Sequence, residues 1–186
     1  MRDNKCIPSI AILINGRKSS EEKLLNQMDV DTIYLSADNI NDEKILNVLM
    51  KRPEEIFIYT GGGIVKKRLL SIKKFIHIHP GIVPEYRGST CFYYSILNNF
   101  TIGMSAIYLS DQLDKGDILA KKNYPVPKVT DMDSYIPKIR AKMLKEVLTN
   151  KLFLGTSQDT KGNLYYIIHP VLKHIAILKA TSYDQK

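Results

Sequence analysis

Two histidines on one short segment and an aspartate in a later turn are the residues of this sequence best placed for acid–base chemistry. Residues 75–88 read FIHIHPGIVPEYRG and predict a strand that ends at the first proline. Alternate residues of a strand share a face, so His77 and His79 should point the same way. Asp114 follows in an Asp-Lys-Gly turn, which could bring a carboxylate to the two imidazoles.

These three side chains admit two chemistries. Imidazole shuttles protons near neutral pH and can donate to a developing oxyanion, and a carboxylate beside it orients the ring. His-x-His with one carboxylate is also a ligand set for transition metals. Because the residues around Asp114 match a different pattern, described below, we expect an acid–base site and no metal.

A glycine run and a cysteine are weaker candidates. Gly61-Gly62-Gly63 precedes a predicted helix and could turn backbone N–H groups towards an anion or a flat ligand. It is neither a phosphate-binding loop nor the dinucleotide fingerprint, which the first turn, residues 15–18, also lacks. Cys91 stands at a helix start, where a thiol can be activated, but packing is the expected role.

Composition limits the partners. The chain has 186 residues, 44% of them hydrophobic, and a net charge of +8, which suits anionic partners. Its lysines are scattered and predict a solvated surface, so no nucleic-acid partner is expected. No apolar run approaches the roughly 18 residues that span a bilayer, so we expect no membrane association. Two cysteines without metal or disulfide spacing suit the cytoplasm.

The alternation of short apolar runs and amphipathic segments predicts an α/β fold. Strands are predicted at residues 8–14, 31–35, 56–59 and 75–79, with helices between them. This order is typical of a Rossmann-like, doubly wound, mostly parallel sheet. Ligands bind at the carboxyl ends of strands in such sheets, where both the glycine run and the histidines should lie.

The second half of the chain predicts a helix at residues 90–97, strands at 101–109 and 119–126, and a long helix from Asp131 to about Leu148. After it, residues 164–178 predict a short strand pair. We therefore expect a catalytic domain over 1–150 and a C-terminal extension over 151–186. The apolar strand pair has two candidate partners, a second copy of the chain in a homodimer or its own domain.

At residues 79–88 the chain resembles the folate-dependent formyltransferase family. That family includes glycinamide ribonucleotide formyltransferase, methionyl-tRNA formyltransferase and the sugar N-formyltransferases. Its strand motif reads roughly Asn-x-His-Pro-Ser/Gly-x-x-Pro-x-x-(Arg/Lys)-Gly, and its second motif, Asp-x-Gly-x-Ile, matches residues 114–118. The resemblance covers residues 56–119 well and the N-terminal half in outline.

The resemblance implies formyl transfer from 10-formyltetrahydrofolate to a primary amine. His79 would donate to the oxyanion and help to move a proton to the leaving folate nitrogen. Asp114 would hold His79 and accept the proton of the amine, directly or through water. The pterin of the donor would lie near two segments, namely Gly62, Gly63 and Ile64, and Ser110, Asp111 and Leu113.

One departure from the family pattern falls at His77, where the family has asparagine. Asparagine offers an amide donor to the formyl oxygen, whereas histidine differs in reach and carries a pH-dependent charge. We therefore count His77 among the catalytic residues. The alternative is a folate-binding member of the family that has lost catalysis.

The acceptor is expected to be an amino sugar. The phosphate loop of glycinamide ribonucleotide formyltransferase is missing from residues 15–20, a tRNA-binding barrel does not fit after Leu148, and no regulatory domain precedes the catalytic one. The short tail resembles that of sugar N-formyltransferases, which act on nucleotide-linked amino sugars for surface polysaccharide. Alternative acceptors are an aminoacyl-tRNA or a small-molecule amine.

Overall fold

The computed structural model describes residues 7–15, 20–128, 130–158 and 161–182, and its architecture is α/β. The elements in chain order are β1 (Ile10–Ile14), α1 (Ser20–Gln27), β2 (Asp31–Leu35), α2 (Glu43–Met50), β3 (Ile56–Ile58), α3 (Lys67–Leu70), β4 (Lys74–His79), β5 (Tyr86–Gly88), α4 (Cys91–Asn99), β6 (Ile102–Tyr108), β7 (Ile118–Tyr124), α5 (Met132–Thr149), β8 (Asn163–Tyr165) and α6 (Pro170–Ser182). Most of the predicted strands and helices are present within a few residues of their predicted bounds.

The strands form small sheets of mixed direction. The largest described sheet has the order β3-β4-β6-β7, and two further pairs are β1-β2 and β5-β8. Only β3 and β4 run parallel in the largest sheet, because β6 is antiparallel to both of its neighbours. The α/β class is confirmed, but the central sheet is not mostly parallel. Strand β6 is buried over nearly its whole length, so its unbroken apolar pattern resembles that of a parallel strand.

The predicted C-terminal strand pair is wrong. Only β8 is extended there, and it pairs with the three-residue strand β5, which the sequence did not predict. The rest is helix α6, which begins at Pro170 and turns Ala176 and Ala180 towards α4. Proline is favoured at the first position of a helix, and a continuous apolar run by itself fits both a strand and a helix.

Two helices begin at aspartate side chains that cap them. The side chain of Asp42 accepts a hydrogen bond from Lys44 N at the start of α2, and that of Asp131 accepts from Ser134 N at the start of α5. Among the helices of the described ranges, none combines the length and apolar character needed to cross a membrane.

Strand β4 separates two hydrophobic clusters. Ile76 and Ile78 belong to the cluster that includes buried residues of α4, α5 and α6, whereas Phe75 belongs to the cluster that includes those of α2 and α3. The histidines alternate with the two isoleucines, so they lie on the Phe75 side of the strand. Packing on both sides therefore fixes the position of the strand that carries them.

We expect Leu49→Ala to lower the free energy of unfolding by about 2–5 kcal/mol, because it opens a cavity in the cluster beside α2. Leu49 is 2% exposed. The matched control is Leu154→Ala, which truncates a leucine that is 94% exposed and should change stability by less than about 0.5 kcal/mol. Urea unfolding of both variants would test the cluster, and equal losses would contradict it.

Candidate active site

The structure brings together the three residues predicted to do acid–base chemistry. One donor atom from each of His77, His79 and Asp114 lies within 4.8 Å of the other two. The two histidines face Ile107 and Ser105 across the β4–β6 pair. The loop after β6 leaves the sheet near the start of β4, where Leu109 N donates to Phe75 O, and it carries Asp114 to the histidines.

His79 is held on both sides of its ring. It is 2% exposed, and its Nε2 lies 2.8 Å from the carbonyl oxygen of Tyr86. A carbonyl only accepts hydrogen bonds, so Nε2 carries a proton and donates it. The other nitrogen, Nδ1, lies 3.5 Å from Oδ2 of Asp114. Gly81 is required here, because a Cβ at that position would lie 2.7 Å from both His79 Nε2 and Tyr86 O.

His77 is half-buried, and one of its ring nitrogens is not engaged by a hydrogen bond in the described structure. Its Nδ1 lies 2.9 Å from the carbonyl oxygen of Tyr59 and donates to it. The pairing of β3 with β4 fixes this contact, because Tyr59 N in turn donates to Ile76 O over 2.8 Å. In the neutral ring the second nitrogen, Nε2, therefore carries a lone pair that faces away from Tyr59.

Asp114 is a buried carboxylate in a strained turn. It is 7% exposed, and its φ of 51° lies in the left-handed region, which aspartate tolerates better than most residues. Its Oδ2 accepts a hydrogen bond from Gly88 N over 2.8 Å. Gln158 Nε2 donates to the backbone oxygens of Asp114 at 2.9 Å and Gly116 at 2.6 Å. A side chain at Gly116 would overlap the Tyr108 carbonyl, so this turn needs the predicted Asp-x-Gly pattern.

The surroundings favour neutral imidazoles. Burial lowers the pKa of both His77 and His79, and the nearby positive charge of Arg140 acts in the same direction. The carboxylate of Asp114 opposes this effect at both rings. Because burial is the largest cause in each case, the site presents uncharged rings beside a carboxylate near neutral pH.

The two segments predicted to bind the donor lie close together. The first is Gly62, Gly63 and Ile64, and the second is Ser110, Asp111 and Leu113. Lys67, which follows the first segment, forms an ion pair with Asp111 at 3.2 Å. Ile64 and Leu113 are apolar and exposed, and the space next to the Cα atoms of Gly62 and Gly63 is open. A flat, partly polar ligand could lie against such a surface.

Two polar residues of the site were missed in the sequence. Ser105 is fully buried, donates to Gly81 O over 2.8 Å and accepts from Val83 N over 3.1 Å, so it clamps the loop that follows His79. A serine inside the otherwise apolar run of β6 was the signal that could have identified it. Gln158 gave no such signal, because it lies 44 residues from the turn that it holds.

Cys91 is a packing residue. Its thiol is fully buried, and burial raises its pKa to about 12. A thiol of that pKa is not a nucleophile at neutral pH. The other cysteine, Cys6, lies outside the described residues.

The comparisons with known sequences agree on one family. A family model described as formyl transferase matches residues 40–150. The methionyl-tRNA formyltransferase of Ehrlichia canis is 32% identical over 131 residues, which cover 67% of this chain and 42% of the relative. That of Finegoldia magna is 35% identical over 97 residues, covering 50% and 31%. The chain thus spans less than half the length of these curated relatives.

Solved structures share the fold. A sugar N-formyltransferase from a Shewanella species gives a TM-score of 0.64 at 20% identity, over 92% of this chain and 87% of that one. A formyltransferase from Anoxybacillus kamchatkensis, solved with UDP-4,6-dideoxy-4-formamido-L-AltNAc and tetrahydrofolate, gives 0.61 at 15% identity, over 84% and 85%. At these identities the likeness shows the fold alone.

We expect Cys91 to resist alkylation in the folded protein. With a pKa of about 12, roughly one thiol in 10⁵ is ionised at pH 7, and the sulfur is buried as well. The measurement is the rate of iodoacetamide labelling in a Cys6→Ser background, with and without denaturing urea. Labelling that is equally fast in both conditions would show that the thiol is exposed or activated.

Proposed function

The chain belongs to the formyl transferase family, and from that premise we propose that it moves a formyl group from 10-formyltetrahydrofolate to the primary amine of a nucleotide-linked amino sugar. The observation that carries this proposal is the convergence of His77, His79 and Asp114 within 4.8 Å. The strand motif and the Asp-x-Gly turn supply these residues from distant parts of the chain. We propose that residues 1–150 carry the reaction and 151–186 form an extension.

The acceptor amine must attack as a neutral nucleophile and then lose a proton. His77 is the least buried of the three groups, and its Nε2 is turned away from Tyr59. We propose that this nitrogen accepts the proton of the amine. The short separation within the cluster allows the proton to pass on to Asp114, directly or through one water molecule.

His79 is enclosed by protein atoms in this arrangement. Both of its ring nitrogens face protein atoms, namely Tyr86 O and Asp114 Oδ2. The family resemblance assigns this histidine to the oxyanion. To donate to a formyl oxygen, Nε2 of His79 would first have to break its hydrogen bond to the Tyr86 carbonyl. We therefore expect His79 to position the site in the described arrangement and to contact the reactants only after that bond is broken.

The folate donor fits the surface formed by its two predicted segments. Gly62 and Gly63 present open backbone, and the exposed side chains of Ile64 and Leu113 offer apolar contact. Ser110 and Asp111 add polar groups on the opposite segment. When bound, the donor supplies the formyl group. The residues named here would hold its ring system beside the strand end that carries His77.

Two acceptors have support. The nucleotide-linked amino sugar is favoured by the net charge of +8, which suits a pyrophosphate, and by the fold shared with a sugar N-formyltransferase over 87% of that chain. Methionyl-tRNA is the second candidate, because the curated relatives carry that name. For the first acceptor we propose a cytoplasmic enzyme with no nucleic-acid or membrane partner, which works as a monomer or a homodimer.

We expect Asp114→Asn to reduce formyl transfer by roughly 10²–10⁴-fold, because the amide cannot take up the proton that leaves the amine. The matched control is Asp117→Asn, which removes an exposed carboxylate from the same loop and should keep activity within about twofold. The assay is mass spectrometry of amino-sugar nucleotides and of methionyl-tRNA after incubation with 10-formyltetrahydrofolate.

The outcomes separate the candidates. A formylated sugar that disappears in Asp114→Asn supports the proposal, whereas formylated methionyl-tRNA alone would replace the sugar with the second acceptor. Tight donor binding without product from any amine would indicate a folate-binding protein without catalysis. Equal activity in the two aspartate variants would refute the assigned role of Asp114.

A further inference from the structure

The hydrogen bonds of the two histidines leave one nitrogen of each neutral ring without a proton, in a cluster that also contains Asp114. Tyr59 O takes the Nδ1 proton of His77, and Tyr86 O takes the Nε2 proton of His79. In the neutral rings, His77 Nε2 and His79 Nδ1 are therefore without protons. His79 Nδ1 then faces Asp114 Oδ2 at 3.5 Å. Both atoms are hydrogen-bond acceptors, and no hydrogen lies between them. A cation at this point would remove the conflict.

We propose that His77, His79 and Asp114 form a binding site for a divalent transition-metal ion of the Zn²⁺ class. Two ligands that each lie about 2 Å from a tetrahedral ion are about 3.3 Å apart. The His79–Asp114 separation of 3.5 Å already matches this geometry, and the full set lies within 4.8 Å. A shift of the half-buried His77 ring would complete it, and a fourth position would remain for water.

The contacts behind the ligands support the same assignment. Metal-binding histidines usually donate their other ring N–H to a carbonyl or carboxylate, which fixes the tautomer and the ring orientation. Both histidines do so here, through Tyr59 O and Tyr86 O. Gly88 N holds the carboxylate of Asp114 in place over 2.8 Å. The ring of His79 and the carboxylate of Asp114 are thus oriented before any ion arrives, whereas the ring of His77 must shift to reach it.

His77 is what distinguishes this site from the pattern that the chain resembles. An asparagine amide at that position would be a poor ligand for Zn²⁺, whereas a second imidazole completes a set of two histidines and a carboxylate. The proposed site therefore departs from the expectation, drawn from the sequence, that no metal binds.

A bound ion would occupy the lone pairs that formyl transfer needs. Its effect on catalysis, unlike its binding, rests on the proposed function: the ion would compete with the proton that Nε2 of His77 accepts. We expect reversible inhibition by the metal and recovery on adding a chelator. Metal binding is measured without donor or acceptor, so failure of the metal site and failure of formyl transfer give different results.

The test is a titration of the chelator-treated full chain with Co²⁺, followed by its visible absorption, and then displacement of Co²⁺ by Zn²⁺. We expect one ion per chain with the intense bands of four- or five-coordinate Co²⁺. His77→Asn should weaken binding by more than about 100-fold, because the loss of a supporting contact alone costs 10–100-fold. The matched control, His174→Asn, removes an exposed histidine on α6 and should leave binding unchanged.

A second variant is expected to act in the opposite direction. The positive charge of Arg140 acts on both imidazoles and must also repel a cation bound between them. Arg140→Met should therefore tighten Co²⁺ binding several-fold. Circular dichroism of every variant would confirm folding. The proposal is overturned if Co²⁺ gives only the weak bands of the hydrated ion, or if His77→Asn binds it as tightly as the unchanged chain.

Discussion

A carboxylate removed from water must be compensated by hydrogen bonds or opposite charge, and the buried side chain of Asp114 imposes this requirement on three parts of the chain. Gly88, the last residue of β5, donates its N–H to the carboxylate, and Gln158, in the segment after α5, holds the backbone of the turn. The ring of His79, at the end of β4, lies 3.5 Å from the carboxylate and can neutralise it only when that ring carries a positive charge. These contacts tie strands of different sheets to one loop. The site is therefore a junction of the fold as well as a place for chemistry.

Two backbone carbonyls decide what that junction can do. The oxygens of Tyr59 and Tyr86 accept hydrogen bonds but cannot donate them, so each selects the tautomer of the histidine that it contacts. The carbonyl of Tyr59 is placed by the pairing of β3 with β4, and that of Tyr86 by the turn through Gly81. Sheet pairing and a glycine thus control the direction of the lone pairs, and the lone pairs determine which proton or ion the site accepts.

The sequence predicted what local geometry determines and missed what depends on distant partners. Alternation along a strand is local, so His77 and His79 were correctly placed on one face. The turn at Asp114 was predicted from another local pattern, an aspartate two residues before a glycine. The antiparallel direction of β6 was missed, because a fully buried strand has the unbroken apolar pattern that is typical of parallel strands. The helical form of α6 was missed, because a continuous apolar run fits both a strand and a helix. Ser105 and Gln158 gain their roles only from contacts far along the chain.

The identity of residue 77 shows how one side chain can change the chemistry of a site whose backbone is otherwise fixed. The hydrogen bond to Tyr59 makes the neutral ring of His77 an acceptor on its open side, whereas an amide at the same place could donate. A nitrogen with a lone pair can take up the proton of an attacking amine or bind a metal ion, but it cannot donate a hydrogen bond to an oxyanion. The charge of Arg140 opposes both a proton and a metal at this ring, and Asp114 favours both. The balance between these two charges therefore decides how readily the site changes between an empty, a protonated and a metal-bound state.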